Sequence, residues 1–262
     1  METVVLNSWE DYIELALQLD GWAFRGQEDA SWPLLSSLSR HLFGFLPEKS
    51  LWQAREARSI RVFRRKAHNY LSNPYSIDDD LRCLAMIQHH GGATRLIDFT
   101  KSPFVAAFFA LEKSQQDVAI FALNTPLLWS AAPNSSPTMT RDVIDPRING
   151  NMEKFFYHNK NDILWVGEPE NMDSRLVAQS GTFVVPGVLD KSIDQILQNY
   201  CATQDIIKKI VLPQSIRQEG LYALYRMNIT NATLFPDLEG LAKSTRLESE
   251  IIWQGLNHPT KP

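Results

Sequence analysis

The chain has 262 residues, of which 44% are hydrophobic, and a formal net charge of −4 at neutral pH. This composition allows a sizeable core and gives no overall attraction to nucleic acid, although it does not exclude a local basic face. Two cysteines far apart in the sequence argue against a disulfide scaffold and against a cysteine-based zinc site. With no secretory leader pattern and no apolar run of about 20 residues, we expect a cytoplasmic protein that neither enters nor binds a membrane.

Helix and strand signals alternate irregularly along the chain, which predicts an α+β fold in a single domain spanning residues 1–262. Short strands are expected at 22–26, 94–98, 118–123, 163–166, 182–185 and 206–212. Helices are expected after the capping residue Ser8, over 48–71, from residues 78–80 to Gly91, from Ser102 and from Ser192. Two more are expected near the end of the chain, one that ends at Arg226 and one after Gly240. Residues 124–160 are rich in proline, asparagine and serine, so we expect a long loop or an insertion there.

The segment Phe24-Arg25-Gly26 places an arginine within a short predicted strand. A guanidinium that faces inward must be paired, and its planar shape suits a carboxylate or a phosphate. At this point a ligand-binding Arg25 and a structural arginine–aspartate pair are equally good interpretations.

The stretch from His89 to Thr100 concentrates polar side chains directly before an apolar helix. On a strand, Thr94, Asp98 and Thr100 would share one face. They would line a site, or Asp98 and Thr100 would only cap the following helix. The two adjacent histidines, His89 and His90, lack the spacing of a metal site, so no metal is expected.

Two further groups of polar residues stand out. Gln179 precedes a glycine next to a predicted strand, where it would bind a ligand or hold a turn. Arg58, Arg61 and Arg65 share one face of the arginine-rich helix, as a candidate contact with nucleic acid or as an ordinary solvated face. No phosphate-binding loop, dinucleotide-binding glycine pattern, kinase motif or serine-nucleophile motif is present.

Taken together, these motifs resemble those of the FRG-domain family over about residues 20–245. The resemblance rests on Phe24-Arg25-Gly26, on the stretch His89–Thr100 followed by the Ser102-Pro103 helix, on Gln179-x-Gly-x-Phe183, and on the late segment 234–240. The order of these motifs is also similar to that of ADP-ribosyltransferases. The resemblance therefore implies a mixed, split sheet flanked by helices.

The same resemblance implies an enzyme that uses NAD as a substrate and acts as an intracellular toxin or defence effector. Arg25, His89, His90, Thr94 and Thr100 would bind NAD. The groups at the reacting bond would come from Asp98, Gln179 and Glu239, since transfer through an oxocarbenium-like state needs a nearby carboxylate. The acceptor would be a macromolecule, with nucleic acid a candidate, and a neutralising protein is a candidate partner.

One departure from the transferase pattern supports a different interpretation. No Glu-x-Glu pair falls on a late strand, and Gln179 stands where such a glutamate is expected. The alternative function is a non-enzymatic module that senses a nucleotide or docks a protein.

Overall fold

Seven strands form one mixed sheet in this computed structural model, which describes residues 1–71, 77–201 and 203–253. Their order across the sheet is β1-β7-β4-β2-β3-β6-β5. The pair β1–β7 is parallel and the other neighbouring pairs are antiparallel. The strands are β1 (Glu2–Val5), β2 (Trp22–Gln27), β3 (Ile97–Thr100), β4 (Val118–Asn124), β5 (Leu164–Gly167), β6 (Gly181–Pro186) and β7 (Ile207–Leu212). This architecture confirms the α+β prediction.

Helices cover the sheet and supply much of the core. The α-helices in the described ranges are α1 (Trp9–Gln18), α2 (Ser37–Phe45), α3 (Trp52–Ala67), α4 (Asp80–His89), α5 (Pro103–Leu111), α6 (Thr125–Ser130), α7 (Ser174–Ala178), α8 (Ile193–Leu197), α9 (Thr203–Ile206), α10 (Arg217–Arg226), α11 (Asn231–Leu234) and α12 (Leu238–Leu247). Short 3-10 turns lie at Lys49–Leu51 and Gln214–Ile216, and π-helical segments at Met152–Tyr157 and Glu248–Ile252. None of the helices described is long and apolar enough to cross a membrane.

Helix α5 packs directly on β2, and a glycine makes this contact possible. A Cβ atom on Gly26 would lie 2.0 Å from the carbonyl oxygen of Ala106 and 2.7 Å from the amide nitrogen of Ala110, both in α5. Phe24 is buried in the same cluster as α5, whereas Ala23 is buried in the cluster on the other side of the sheet. The alternation of a strand thus explains why Gly26 faces the helix.

The centre of the sheet contains an opening between β2 and β3. These strands pair at a single position, Phe24 with Thr100, whereas β2 pairs with β4 over six positions and β3 pairs with β6 over four. Beyond this pair the two strands diverge. The residues after Phe24 on β2 and those before Thr100 on β3 therefore border a gap. Arg25 and Asp98 occupy the two sides of this gap.

Several local predictions are confirmed. The hydroxyl of Ser8 accepts a hydrogen bond from the amide of Asp11, and Ser102 caps α5 in the same way. Helix α4 ends before Gly91, which adopts a positive φ of 81°. The arginine-rich pattern over 48–71 forms a 3-10 turn and then α3; residues 72–76, between it and α4, lie outside the described residues.

The predicted strand over 94–98 is wrong in its position, because β3 begins only at Ile97. The backbone of Thr94 is bound by helix α2: its amide donates to the Ser37 hydroxyl and its carbonyl accepts from the Leu38 amide. Arg95 turns into the core, where it is fully buried. The bonded backbone of Thr94 cannot join a strand ladder, and the chain bends at Arg95 before β3 begins.

Arg95 forms a buried ion pair with Glu56 of α3. Its Nε lies 2.7 Å from one carboxylate oxygen and its Nη2 donates to the other, while Nη1 donates to the carbonyls of Phe156 and Pro186 at 2.9 Å. Both side chains are almost inaccessible to solvent. Arg95 thus joins α3, the π-helical segment and the end of β6, and it serves the fold.

Residues 124–160, which are predicted to form a long loop or an insertion, contain helical segments and are not a plain loop. The region includes α6 and the π-helical segment Met152–Tyr157, and it buries Ile144, Met152 and Phe156. Met152, Phe155 and Phe156 of the π-helical segment pack into the core cluster that also contains Ile144.

Candidate functional site

A pocket of about 580 Å³ opens where β2 and β3 diverge. Its wall combines residues that are far apart in the sequence, from β2, β3, α2, α4, α5, α7 and the segment before α12. The polar and aromatic residues of the wall include Arg25, Trp32, Arg40, Gln88, His89, Asp98, Thr100, Phe109, Asp173, Arg175, Gln179 and Phe235. A smaller hollow of about 180 Å³ shares Arg25, Arg40, Gln88 and Asp98 with this pocket, so the two form one cleft.

Arg25 and Asp98 lie at the junction of the two hollows. The Nη1 atom of Arg25 donates a 2.7 Å hydrogen bond to the backbone carbonyl of Asp98 and lies 3.8 Å from the carboxylate Oδ2. The Nε atom of Arg25 is buried and has no hydrogen-bond partner among the described residues. The Arg25 side chain is still 19% exposed, so its guanidinium remains accessible to an anion in the cleft.

A second guanidinium borders the same carboxylate. Burial lowers the pKa of Arg40, and the charge of Asp98 opposes this shift. Burial also lowers the pKa of Arg25, where Asp98 acts in the opposite direction and Arg40 adds to the lowering. Both side chains are guanidiniums, which proteins keep positively charged. Two guanidiniums beside one carboxylate leave positive charge available for a phosphate group.

Asp98 is held in place by a chain of side-chain hydrogen bonds from α4. The Gln88 amide nitrogen donates to Asp98 Oδ1 at 2.6 Å, and the Thr94 hydroxyl donates to the Gln88 amide oxygen. The Asp98 side chain is nevertheless 59% exposed. Its carboxylate is therefore oriented by the protein and still accessible to a ligand.

The opposite wall is built by α7 and the segment before α12. His89 Nδ1 lies 3.1 Å from the carboxylate of Asp173, and Arg175 donates to the His89 carbonyl. The guanidinium of Arg175 stacks on the ring of Phe235 at 4.5 Å. Gln179 donates to the Leu234 carbonyl at 3.1 Å. These contacts fix the wall and leave the pocket lined by cations, carboxylates and aromatic rings.

Aromatic side chains line the apolar part of the pocket. Phe109 meets Phe235 edge to face at 5.9 Å, and Trp32 is 46% exposed at the pocket wall. A flat ring that is half exposed in a pocket offers a stacking surface for another planar group.

Of the candidate site residues, Arg25, His89, Asp98, Thr100 and Gln179 line this pocket. The hydroxyl of Thr100 donates to the Gln179 carbonyl and accepts from the Ser102 amide, so it also holds the wall together. The geometry brings these residues together and does not by itself test their roles.

The other three candidates lie elsewhere. His90 is exposed with its ring against His89, and Thr94 is buried behind Gln88. Glu239 is on α12, where its carboxylate lies 2.6 Å from Lys243. The hydrogen bond and the charge of Lys243 lower the pKa of Glu239.

Three residues of the cleft have no recognisable signal in the sequence. Arg40 and Gln88 each stand among the alternating residues of an amphipathic helix, and Asp173 lies in a polar turn as the N-cap of α7. Only the tertiary fold brings them into the same cleft as Arg25. Within the described ranges, no group of three or more histidine, cysteine, aspartate or glutamate side chains is arranged to hold a metal ion.

The fold and the site together define an α+β protein with an arginine-lined cleft at the divergence of two central strands. Residues 20–118 match the family model of the FRG domain. The matched range includes Phe24-Arg25-Gly26 and the stretch from His89 to Thr100. Searches among curated proteins and among solved structures find no match.

Proposed function

We propose that the cleft binds NAD and that the protein transfers ADP-ribose from it to a macromolecule. In this reaction the bond between the nicotinamide nitrogen and ribose C1′ breaks, and nicotinamide leaves with the bonding electron pair. A nucleophile of the acceptor then bonds to C1′ and loses its proton. The observation that carries the proposal is the convergence of Arg25, Asp98 and Gln179 on one pocket of about 580 Å³. Pockets for ligands of this kind measure roughly 300–1,000 Å³.

The proposed roles follow from charge and position. Arg25 and Arg40 bind the pyrophosphate, because each guanidinium can donate two parallel hydrogen bonds to phosphate oxygens. Asp98 stabilises the positive charge that develops at C1′, as carboxylates do in glycoside cleavage. Trp32 stacks on one of the two bases. His89, Thr100 and Gln179 border the sugar attached to nicotinamide.

The proposed biological role is that of a toxin or a defence effector in the cytoplasm. NAD is abundant there, and the two free thiols of the chain, Cys83 and Cys201, stay reduced in that compartment. An enzyme that consumes NAD or modifies cell macromolecules would need restraint, so a neutralising protein belongs to the proposal.

The test is to incubate the purified protein with adenine-labelled NAD and cell lysate, and to measure free nicotinamide and transferred label. Arg25→Ala should lower the rate at least tenfold by weakening binding, and Asp98→Asn should lower it about 100-fold or more. Arg226→Gln, an exposed arginine on α10, is the matched control and should behave like wild type. Absence of both products in the wild type, or full activity of Arg25→Ala, would refute the proposal.

One observation favours the alternative of a module that binds a nucleotide without turnover. The Asp98 carboxylate is already bonded to Gln88 and lies near Arg25, while Glu239 lies outside the cleft. This alternative expects saturable NAD binding in calorimetry, reduced in Arg25→Ala, and no nicotinamide release over hours. Any release of nicotinamide by the wild type that the Asp98→Asn variant abolishes would exclude this alternative.

A further inference from the structure

We infer that the outer face of α3 binds the phosphate backbone of a nucleic-acid duplex. This α3 basic face consists of Arg55, Arg58, Arg61, Arg65 and Lys66. Helix α3 carries six basic residues and a single acid, Glu56, within a chain whose net charge is −4. The positive charge is therefore concentrated on one element.

The fold separates the inner and outer residues of α3 cleanly. Trp52, Glu56, Ile60 and Ala67 are buried, whereas all five residues of the α3 basic face are exposed. At a rise of about 1.5 Å per residue, Arg58, Arg61 and Arg65 are offset by about 4.5 and 6 Å along the helix. Their i, i+3 and i+7 spacing places the three residues on one side of the helix, where they present a run of positive charge to a phosphate backbone.

The charges of this row are not compensated by the protein. The acid of the helix, Glu56, faces inward and is used by Arg95, and the remaining arginine of α3, Arg64, pairs with Asp80 at 2.7 Å. Among the described residues, no ion pair or side-chain hydrogen bond involves Arg58, Arg61 or Arg65. These three arginines therefore contribute little to the stability of the fold, whereas a bound polyanion would pair with all three.

The choice of a duplex follows from what stands between the arginines. Proteins that hold single strands stack bases on exposed aromatic rings interleaved with the positive charges. On α3 the two aromatic residues are Trp52, which is fully buried, and Phe63, which is half-buried. Phosphate contacts without base stacking are the mode of sequence-independent duplex binding.

This inference is independent of the proposed function, because it concerns a different surface and its test contains no NAD. The experiment measures fluorescence anisotropy of the full chain with a labelled duplex of about 20 base pairs, as DNA and as RNA, between about 50 and 200 mM salt. The variant Arg58→Gln, Arg61→Gln, Arg65→Gln removes three charges from α3. The variant Lys113→Gln, Arg226→Gln, Arg246→Gln removes three exposed charges elsewhere and is the matched control.

We expect the α3 variant to bind a duplex at least tenfold more weakly, and the control to bind it within about twofold of wild type. Each lost phosphate contact reduces the slope of log affinity against log salt by about 0.9, so three contacts predict a decrease of about 2.7. Both variants should keep the wild-type circular dichroism and thermal midpoint. Comparison of the affinities for the DNA and RNA duplexes shows which of the two the α3 basic face prefers.

Three results would overturn the inference. The first is wild-type protein that binds neither duplex at 50 mM salt. The second is an equal loss of affinity in both triple variants, which would show a response to net charge alone. The third is tighter binding of a single strand, or of polyglutamate, than of either duplex, which would assign the face to a different partner.

Discussion

Gly26 is the residue at which a single carbon atom would disturb the centre of the fold. We predict that Gly26→Ala lowers the free energy of unfolding by about 2–3 kcal/mol, because the new Cβ meets backbone atoms of α5 that cannot rotate away. Urea unfolding measures this change. Gly44→Ala is the control: it lies in α2 with no atom within 4 Å of its Cβ position, and it should gain about 0.5–1 kcal/mol of stability from helix propensity. Equal stability of Gly26→Ala and wild type would contradict the packing described.

The buried pair of Arg95 and Glu56 gives a second prediction for individual residues. Arg95→Met should cost about 3–5 kcal/mol, because it leaves the Glu56 carboxylate buried without its partner. Glu56→Leu should cost a similar amount for the same reason. The double variant should be less destabilised than the sum of the two, since it leaves no unpaired charge. A double-mutant cycle in urea measures the coupling, and strict additivity would refute the pairing.

The limits of sequence reasoning are clear at these same residues. The caps formed by Ser8 and Ser102 could be predicted because a cap depends on neighbours three residues away. Arg95 was expected on a strand because its partner, Glu56, lies 39 residues away and has no local signature. Arg40 likewise has no local signature, because the carboxylate it borders, Asp98, is distant in the sequence. Local capping can thus be predicted from sequence, whereas pairings across the core cannot.

The segment between α6 and β5 illustrates the same limit for a whole element. Its composition is typical of a loop, but the conformation of the segment is held by polar contacts that leave no periodic pattern in the sequence. Asn151 donates to the carbonyls of Val143 and Asp145, while Arg147 donates from Nε to one oxygen of the Asp145 carboxylate and from Nη2 to the other. Such contacts depend on individual atoms meeting after the chain has folded.

Asp145 makes the stability of this segment depend on pH. Burial raises the pKa of Asp145, but the hydrogen bonds and the charge of Arg147 together lower it by a larger amount, so the folded pKa is below the usual range. The stabilisation is therefore present above the unfolded pKa of about 3.9 and is lost as the pH falls through the folded pKa.

We predict that Asp145→Asn lowers the free energy of unfolding by about 1–2 kcal/mol at pH 7, and that its difference from wild type narrows at about pH 3. Urea unfolding at both pH values measures the two differences. The neighbouring Asp142→Asn is the control, since its side chain is 93% exposed and the change should stay within about 0.5 kcal/mol. A constant difference between the two pH values would argue against the ion pair.

For the whole molecule, the sequence predicts a single domain, and a buried thiol provides a means to test this. Cys83 is inaccessible within the apolar cluster formed by α3, α4 and the π-helical segment, and burial raises the pKa of its thiol. The thiolate is the form that reacts with alkylating agents. Folded protein should therefore resist alkylation at Cys83, whereas Cys201 is exposed.

In the Cys201→Ser variant, Cys83 is the single remaining thiol. If the clusters on both faces of the sheet unfold together, labelling of Cys83 by brief pulses of iodoacetamide should rise at the same urea concentration at which tryptophan fluorescence changes. The cluster around Cys83 shares Phe183 and Val185 of β6 with the sheet, so it cannot open without disturbing the strand beside β3. Labelling at clearly lower urea than the fluorescence midpoint would show that this cluster unfolds separately. The chain would then contain two cooperative units, and the arginine-lined cleft would lie along the boundary between them.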